Sequence, residues 1–249
     1  MNPDEYAKMD RSSRSHWFYV GKRDIVRYWI DRFVDQNEDD LLVDAGMGSG
    51  DWVAEMSCRC RVLGIDDHQE SLDIARPRVE AVGGRVLRSS LSHIDLPDGA
   101  AFVVTMLDVL EHLDDDRQAV AEAIRITRPG GLIVVTVPSL MCLWSDWDEV
   151  LHHRRRYRQQ ELLAVLDQPH AQILHCAYFN FFVFPLVWAI RFWRRLFPLR
   201  AGRRRAEEKI PPHFVNELLR RLMVAPAKCA WFRPPLGVSL IAVVRRTTD

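Results

Sequence analysis

Three glycines at alternate positions, Gly46, Gly48 and Gly50, follow the run Leu41-Leu42-Val43-Asp44 and stand directly before Asp51. Alternate glycines let a chain turn sharply and let a ligand approach the backbone closely. In an α/β fold such a turn between a buried strand and a helix is where nucleotide-like ligands bind. The spacing differs from the G-x-G-x-x-G of dinucleotide-binding enzymes, so an NAD-linked dehydrogenase fails on this count. Asp44, two positions before the first glycine, would also repel pyrophosphate and suits a cationic ligand instead. Asp66 ends the next apolar run, Arg61–Asp66, where an acidic residue can accept both hydroxyls of a ribose. For proton removal the candidates are Asp108, His112, His152 and His153. A hydroxyl nucleophile must lose its proton and sit about 3 Å from the carbon it attacks, and a histidine titrates near working pH.

S-adenosylmethionine carries both an ammonium and a sulfonium, and the Asp44–Gly50 pattern resembles the first motif of the class I S-adenosylmethionine-dependent methyltransferases. Leu107-Asp108-Val109-Leu110-Glu111-His112 is similar to the D-V-L-E-H signature that follows that family's fourth strand. Arg128-Pro129-Gly130-Gly131 resembles its helix-to-strand turn. The resemblance covers roughly residues 40–140. It implies S-adenosylmethionine as cofactor, held by Asp44, Gly46, Gly48, Gly50, Asp66 and Leu107, with Ser90 and Leu91 toward the adenine. Many relatives have an acidic residue near Ser90, and many have an aspartate where Val103 follows Phe102; this chain has neither. Asp108 is expected to face cofactor or acceptor from a strand's carboxyl end, and His153, His112 and Asp108 are the expected catalytic groups. No metal is expected, since Cys58-Arg59-Cys60 is too short and isolated for a zinc site.

His153-Arg154-Arg155-Arg156-Tyr157 resembles the H-x-R-R-Y motif of a bacterial subgroup (methyltransferase type 11/12-like) often found in glycan or lipid-linked saccharide pathways. The same subgroup tends to begin with an H-W segment and a basic helix, as His16-Trp17 and Lys22-Arg23 do here. This implies His16, Trp17, Arg155, Arg156 and Tyr157 as acceptor contacts, because arginine forks grip phosphate or carboxylate at two points. The expected reaction is O-methylation of an anionic acceptor: a sugar phosphate, a uronic acid or a polyprenyl-linked saccharide. Two alternatives stand beside it. One is a quinone-like or other small-metabolite acceptor, since Glu111-His112 also occurs in quinone-pathway methyltransferases. The other is a non-enzymatic module that binds the cofactor without turnover. Nucleic acid is a weaker acceptor: the arginine-rich C-terminal half could meet phosphates, but no Asn-Pro-Pro-Tyr-type motif for base-amine methylation follows the fourth strand.

The elements that must position these residues alternate strand and helix, which predicts a parallel sheet with right-handed crossovers. Strands are expected at Leu41–Asp44, Arg61–Asp66, Arg85–Arg88, Ala101–Asp108, Leu132–Val137, Gln172–Tyr178 and Gly237–Arg246. Helices are expected at Lys22–Val34, from Asp51 to about Cys58, and at His68–Val82, Asp115–Thr127, Gln159–Leu166 and His213–Met223. The family resemblance makes this a Rossmann-like, doubly wound seven-stranded α/β sheet with helices on both faces and the last strand antiparallel. One domain spans 1–249: an N-terminal helical segment (1–35), a cofactor-binding core (40–140), an acceptor-side loop and helix (141–171), and an apolar and basic helical insertion (181–232) before the last strand. In 181–205, Phe192 and Trp193 interleave with Arg191, Arg194 and Arg195, followed by Phe197, Arg200 and Arg203–Arg205. That pattern suits a cap over the acceptor pocket, a peripheral membrane contact or a dimer surface. The apolar run Ala177–Ile190 falls short of the ~20 residues that span a bilayer.

Composition fits this reading. The 249-residue chain has formal net charge +0, but residues 1–150 hold 16 Lys and Arg against 28 Asp and Glu, and residues 151–249 hold 18 against 6. Such a split serves either attraction between two faces within the fold or an anionic partner of the C-terminal part. Five scattered cysteines argue against a disulfide framework, and the polar, acidic N-terminus does not read as a signal peptide. A reduced, cytoplasmic setting is expected, with association at the inner membrane face if the insertion touches lipid.

Overall fold

The computed structural model describes residues 13–35, 37–196 and 210–248; Phe197, Arg200 and Arg203–Arg205 of the insertion lie outside them. In chain order the elements are α1 (Trp17–Phe33), β1 (Leu41–Ala45), α2 (Asp51–Met56), β2 (Arg61–Asp66), α3 (Gln69–Glu80), β3 (Arg85–Arg88) and β4 (Ala101–Leu107). Then follow α4 (Asp116–Ile126), β5 (Thr127–Pro138), α5 (Asp146–Val150), α6 (Gln159–Leu166), β6 (Ala171–Phe179), α7 (Phe184–Leu196), α8 (His213–Ala227) and β7 (Ser239–Arg246).

The strands form one sheet in the order β3-β2-β1-β4-β5-β7-β6. Neighbours are parallel except around β7, which runs antiparallel to both β5 and β6. The expected Rossmann-like sheet with its antiparallel last strand is therefore present. β1, β4 and β5 are covered on both faces, so they read as continuous apolar runs and not as alternating ones. One face is covered by α1, α2 and α3, whose buried residues include Trp29, Val53 and Leu72, with Met223 of α8 in the same core. The other face is covered by α4 and α6 through Val120, Ile126, Leu162 and Leu166. Strand order reverses between β1 and β4, which opens a crevice at their carboxyl ends.

Three boundaries differ from the sequence expectation for local reasons. α1 begins at Trp17 because the His16 ring accepts from Phe18 N at the helix start. β5 begins at Thr127, ahead of the expected Leu132: Thr127 pairs with Ala101, and a register shift absorbs the Arg128–Gly131 turn within the strand. Part of the expected loop after β5 is the short helix α5, closed by a capping box between Ser145 and Asp148. Among the described residues no helix is long and apolar enough to cross a membrane.

Candidate active site

A cavity of ≈1050 Å³ opens at the crevice, reached by the ends of β1, β2, β4 and β5 and by parts of α1 and α7. β1 delivers Asp44, which is buried and accepts from the Thr105 hydroxyl at 2.7 Å. Thr105 is held in turn by Trp52 Nε1 of α2 at 3.1 Å. Burial pushes the Asp44 carboxyl up to about 7, against the lowering effects of Thr105 and Lys22.

The glycine turn follows. Gly46 has φ +87 and a side chain there would meet Val109 at 2.5 Å, whereas a Cβ on Gly48 (φ +53) would meet nothing within 4 Å. Gly48 thus leaves room where it lines the cavity. Asp66 accepts from Gly48 N at 3.1 Å and from His68 N at 3.0 Å, so it braces the turn, and burial raises its pKa. Leu91 and Leu107 also line the cavity.

Two expected cofactor contacts stand elsewhere. Gly50 caps α2 with φ +74 and faces Ala75 and Val79, either of which a Cβ would approach to 2.9 Å. Its glycine serves packing of α2 on α3. Ser90 is exposed in a tight turn and its hydroxyl pairs with Ser92 at 2.8 Å.

At the other end of the cavity, Asp108 (φ +56) follows β4. It is bonded to the Lys22 ammonium from α1 and accepts from the Thr136 hydroxyl at 3.0 Å. Burial alone would raise its pKa, but Lys22 and Thr136 outweigh that and hold it below the usual carboxylate range. The His112 and His153 rings meet edge to face, 4.8 Å between centroids. Burial, then the neighbouring His153, lowers the His112 pKa to about 4, so this ring is neutral at physiological pH.

His153 Nδ1 lies 2.9 Å from Asp148, whose same oxygen accepts from Arg156 Nε at 2.7 Å. Burial is outweighed by the contacts with His153 and Arg156, and Asp148 is held well below its ordinary pKa. Arg154 fastens the whole segment down: its backbone N donates to Glu111 O at 2.8 Å and its Nε to His112 O at 2.8 Å.

His16, Trp17, Asp108, His112, His153, Arg154 and Arg156 all line the cavity. Arg155 and Tyr157 do not, which corrects the expectation drawn from the H-x-R-R-Y run. Both turn to Asp116 at the start of α4, Arg155 at 3.1 Å and Tyr157 through its hydroxyl at 2.7 Å. Tyr157 forms a β-bridge with Ser139, and in such an extended run residues two apart point the same way. Burial and the Asp116 carboxylate raise the Tyr157 pKa above its ordinary value, as expected for a structural hydroxyl.

Several lining residues were not given a role in the site from sequence. Lys22 carried a signal: it falls on the helical stripe of Ile25, Val26, Trp29 and Ile30, a position that normally holds an apolar residue. Glu111 is fully buried with both carboxylate oxygens unbonded among the described residues, and burial, then Asp108, raises its pKa well above the ordinary value. Asn180 Oδ1 is likewise buried and unbonded, while Arg191 of α7 binds Leu143 O. Nothing local in the sequence marks Asn180, and Arg191 was read only as part of the basic pattern of the insertion; both reach the site through tertiary packing.

Comparison with known proteins agrees with this geometry. Residues 43–135 match the methyltransferase domain family. A Mycolicibacterium smegmatis protein described as a probable S-adenosylmethionine-dependent methyltransferase is 32% identical over 131 residues, covering 51% of this chain and 49% of that protein. The chain thus spans about half the length of the curated relatives it matches. Among solved structures, geranyl diphosphate C-methyltransferase from Streptomyces coelicolor, with S-adenosyl-L-homocysteine bound, superposes with TM-score 0.58 at 15% identity, covering 88% of this chain and 77% of that one. The [4+2]-cyclase SpnF superposes with TM-score 0.61 at 18% identity, covering 91% and 81%. These likenesses establish a Rossmann-like fold shared with methyltransferases, and within it residues 43–135 match a methyltransferase domain and resemble a protein described as S-adenosylmethionine-dependent. The cavity suits that cofactor. Asp44 and the open side of Gly48 would receive its methionine part, Asp66 its ribose and Leu91 its adenine side. The bound group would supply an electrophilic methyl on a positively charged sulfur.

Proposed function

We propose that the chain is an S-adenosylmethionine-dependent O-methyltransferase acting on an anionic saccharide or lipid-linked acceptor. One observation carries this reading: a single cavity joins the acidic, glycine-lined cofactor end to an end lined by Asp108, His153, Arg156 and Arg191. Val187 and Ile190 of α7 line it as well, which favours an acceptor with an apolar portion. Arg156 and Arg191 supply positive charge for a phosphate or carboxylate. Asn180 Oδ1 is an unused acceptor for a sugar hydroxyl. The hydroxyl to be methylated would sit between Asp108 and His153, with its oxygen directed at the cofactor's methyl. Asp148 fixes the imidazole so that Nε2 is the nitrogen left for the acceptor's proton.

The outward side of α7 adds the lipid connection. Leu186, Trp188, Phe192, Trp193 and Leu196 are exposed there, with Arg194 and Arg195 beside them. A helix of that make-up suits the interface of an anionic membrane, with the cavity opening beside it at headgroup level. The setting would be the cytoplasmic membrane face. A small apolar metabolite such as a quinone is the second reading, favoured by the same Val187 and Ile190 lining.

Turnover to S-adenosylhomocysteine over a panel of sugar phosphates, uronic acids, polyprenyl-linked saccharides and quinols tests the proposal. Arg156→Ala is expected to raise acceptor KM at least tenfold, while Arg155→Ala leaves it within twofold. Equal KM values for both variants and the wild type would contradict an anionic acceptor held here.

A further inference from the structure

Glu111, His112 and His153 form a group that methyl transfer as described above does not explain. One ligand-type atom from each lies within 4.8 Å of the other two, and all three residues line the acceptor end of the cavity. Glu111 is 0% exposed and neither of its oxygens has a hydrogen-bond partner among the described residues. Buried carboxylates are normally bonded or matched by a cation. The nearby charges are already matched: Asp108 by Lys22, and Asp148 by Arg156. Glu111 is left facing His153 Nε2 at 3.9 Å. That is too long for a hydrogen bond, but it is the order of separation of two atoms that each lie about 2.0–2.2 Å from one shared cation.

The imidazoles are prepared in the same sense. His153 engages Asp148 through Nδ1, which leaves Nε2 as the nitrogen toward Glu111. Asp148 is itself fixed by Arg156 Nε and by Ser145 N at 2.9 Å. The His112 ring meets His153 edge to face, 4.8 Å between centroids. Metal-binding histidines characteristically give their other ring N–H to a carboxylate or a backbone carbonyl.

A second acidic group, Asp66, Asp67 and His68, lacks these features. Asp66 is already bonded to Gly48 N and His68 N, and Asp67 and His68 are exposed and pair with each other.

We propose that Glu111, His112 and His153 bind one divalent first-row transition-metal cation. Two imidazoles and a carboxylate are a donor set that such ions take, with further coordination positions left toward the cavity. Oxygens of the acceptor, from a phosphate, a carboxylate or adjacent hydroxyls, are the ligands those positions would accept. This use of the cation rests on the methyltransferase reading; the binding of the metal does not. The sequence expectation of no metal is thereby revised: His153 lies far from Glu111-His112 along the chain, so no motif spacing marks the set. With the cation in place His153 Nε2 is a ligand, and of the two groups beside the acceptor hydroxyl Asp108 is the one left to take its proton.

The test is titration of the metal-stripped 249-residue chain with Co(II), followed by visible absorption and calorimetry, with S-adenosylmethionine affinity measured on the same samples. One equivalent is expected to bind with micromolar or tighter affinity. Glu111→Gln and His153→Ala are expected to weaken it at least tenfold, and His68→Ala to leave it within twofold. Retained S-adenosylmethionine binding shows that the variants are folded. X-ray absorption of the Zn-loaded wild type, expected to show imidazole ligands at about 2.0–2.1 Å, reads the same site without substitution. Absence of Co(II) binding by the wild type, affinity unchanged in both variants, or a spectrum without imidazole ligands would each overturn the proposal. Loss of S-adenosylmethionine binding with Co(II) binding intact would instead count against the cofactor reading alone.

Discussion

Asp44 is a carboxyl group whose charge depends on what lies beside it. Burial holds its pKa at about 7 in the free protein, with Thr105 donating to it and Lys22 and Asp66 adding opposed charges. A cofactor bearing an ammonium and a sulfonium favours the ionised form, so its binding below pH 7 releases a proton. The S-adenosylmethionine dissociation constant is expected to fall roughly fivefold or more between pH 6 and 7.5. Asp44→Asn should flatten that dependence and weaken binding throughout; calorimetry at several pH values checks both. In the free protein the same burial acts against folding. The folded state holds the Asp44 proton more tightly than the unfolded chain, so its effect on stability worsens as pH rises from 3.8 to about 7. Asp44→Asn should accordingly melt higher than the wild type at pH 7.5, which thermal unfolding measures.

α7 is the element with two distinct faces. Val187, Ile190 and Arg191 line the cavity, while Leu186 and Trp193, each 60% exposed, face outward. Sedimentation with vesicles of phosphatidylglycerol and phosphatidylcholine is expected to show binding that falls with salt and at least fivefold in Trp193→Glu. No wild-type binding to such vesicles would leave α7 as a cap alone. The glycine turn was legible in sequence because β1, Gly46, Gly48 and Asp66 belong to one local strand–turn–helix–strand unit. Gly50 departed from it because its missing Cβ serves the packing of α2 on α3, and Ser90 because its hydroxyl turns to Ser92, neither of which spacing fixes. The acceptor side was harder to read. In the run from His153 to Tyr157, Arg156 turns into the cavity while Arg155 and Tyr157 bind Asp116, a division set by the bridge to Ser139. The position of Lys22 depends on α1 crossing the crevice, and that of Arg191 on α7 folding back over the short turn Met141–Leu143.

At the scale of the molecule, the opposed charges of the two halves meet within the fold: Arg155 binds Asp116, Arg156 binds Asp148, and Arg220 binds Asp24. Arginines of the acceptor-side segment and α8 thus join those parts to the rest of the protein. The sheet is what makes these parts one site, because the reversal between β1 and β4 sets Asp44 and Asp108 on the two sides of one crevice. The central claim is that this crevice binds S-adenosylmethionine through the acidic glycine turn. Calorimetric titration of the wild type beside Asp66→Ala tests it most directly. The account predicts micromolar, one-to-one binding that weakens at least tenfold in Asp66→Ala while the variant remains folded. No binding by folded wild-type protein, or equal affinity in both, would contradict it.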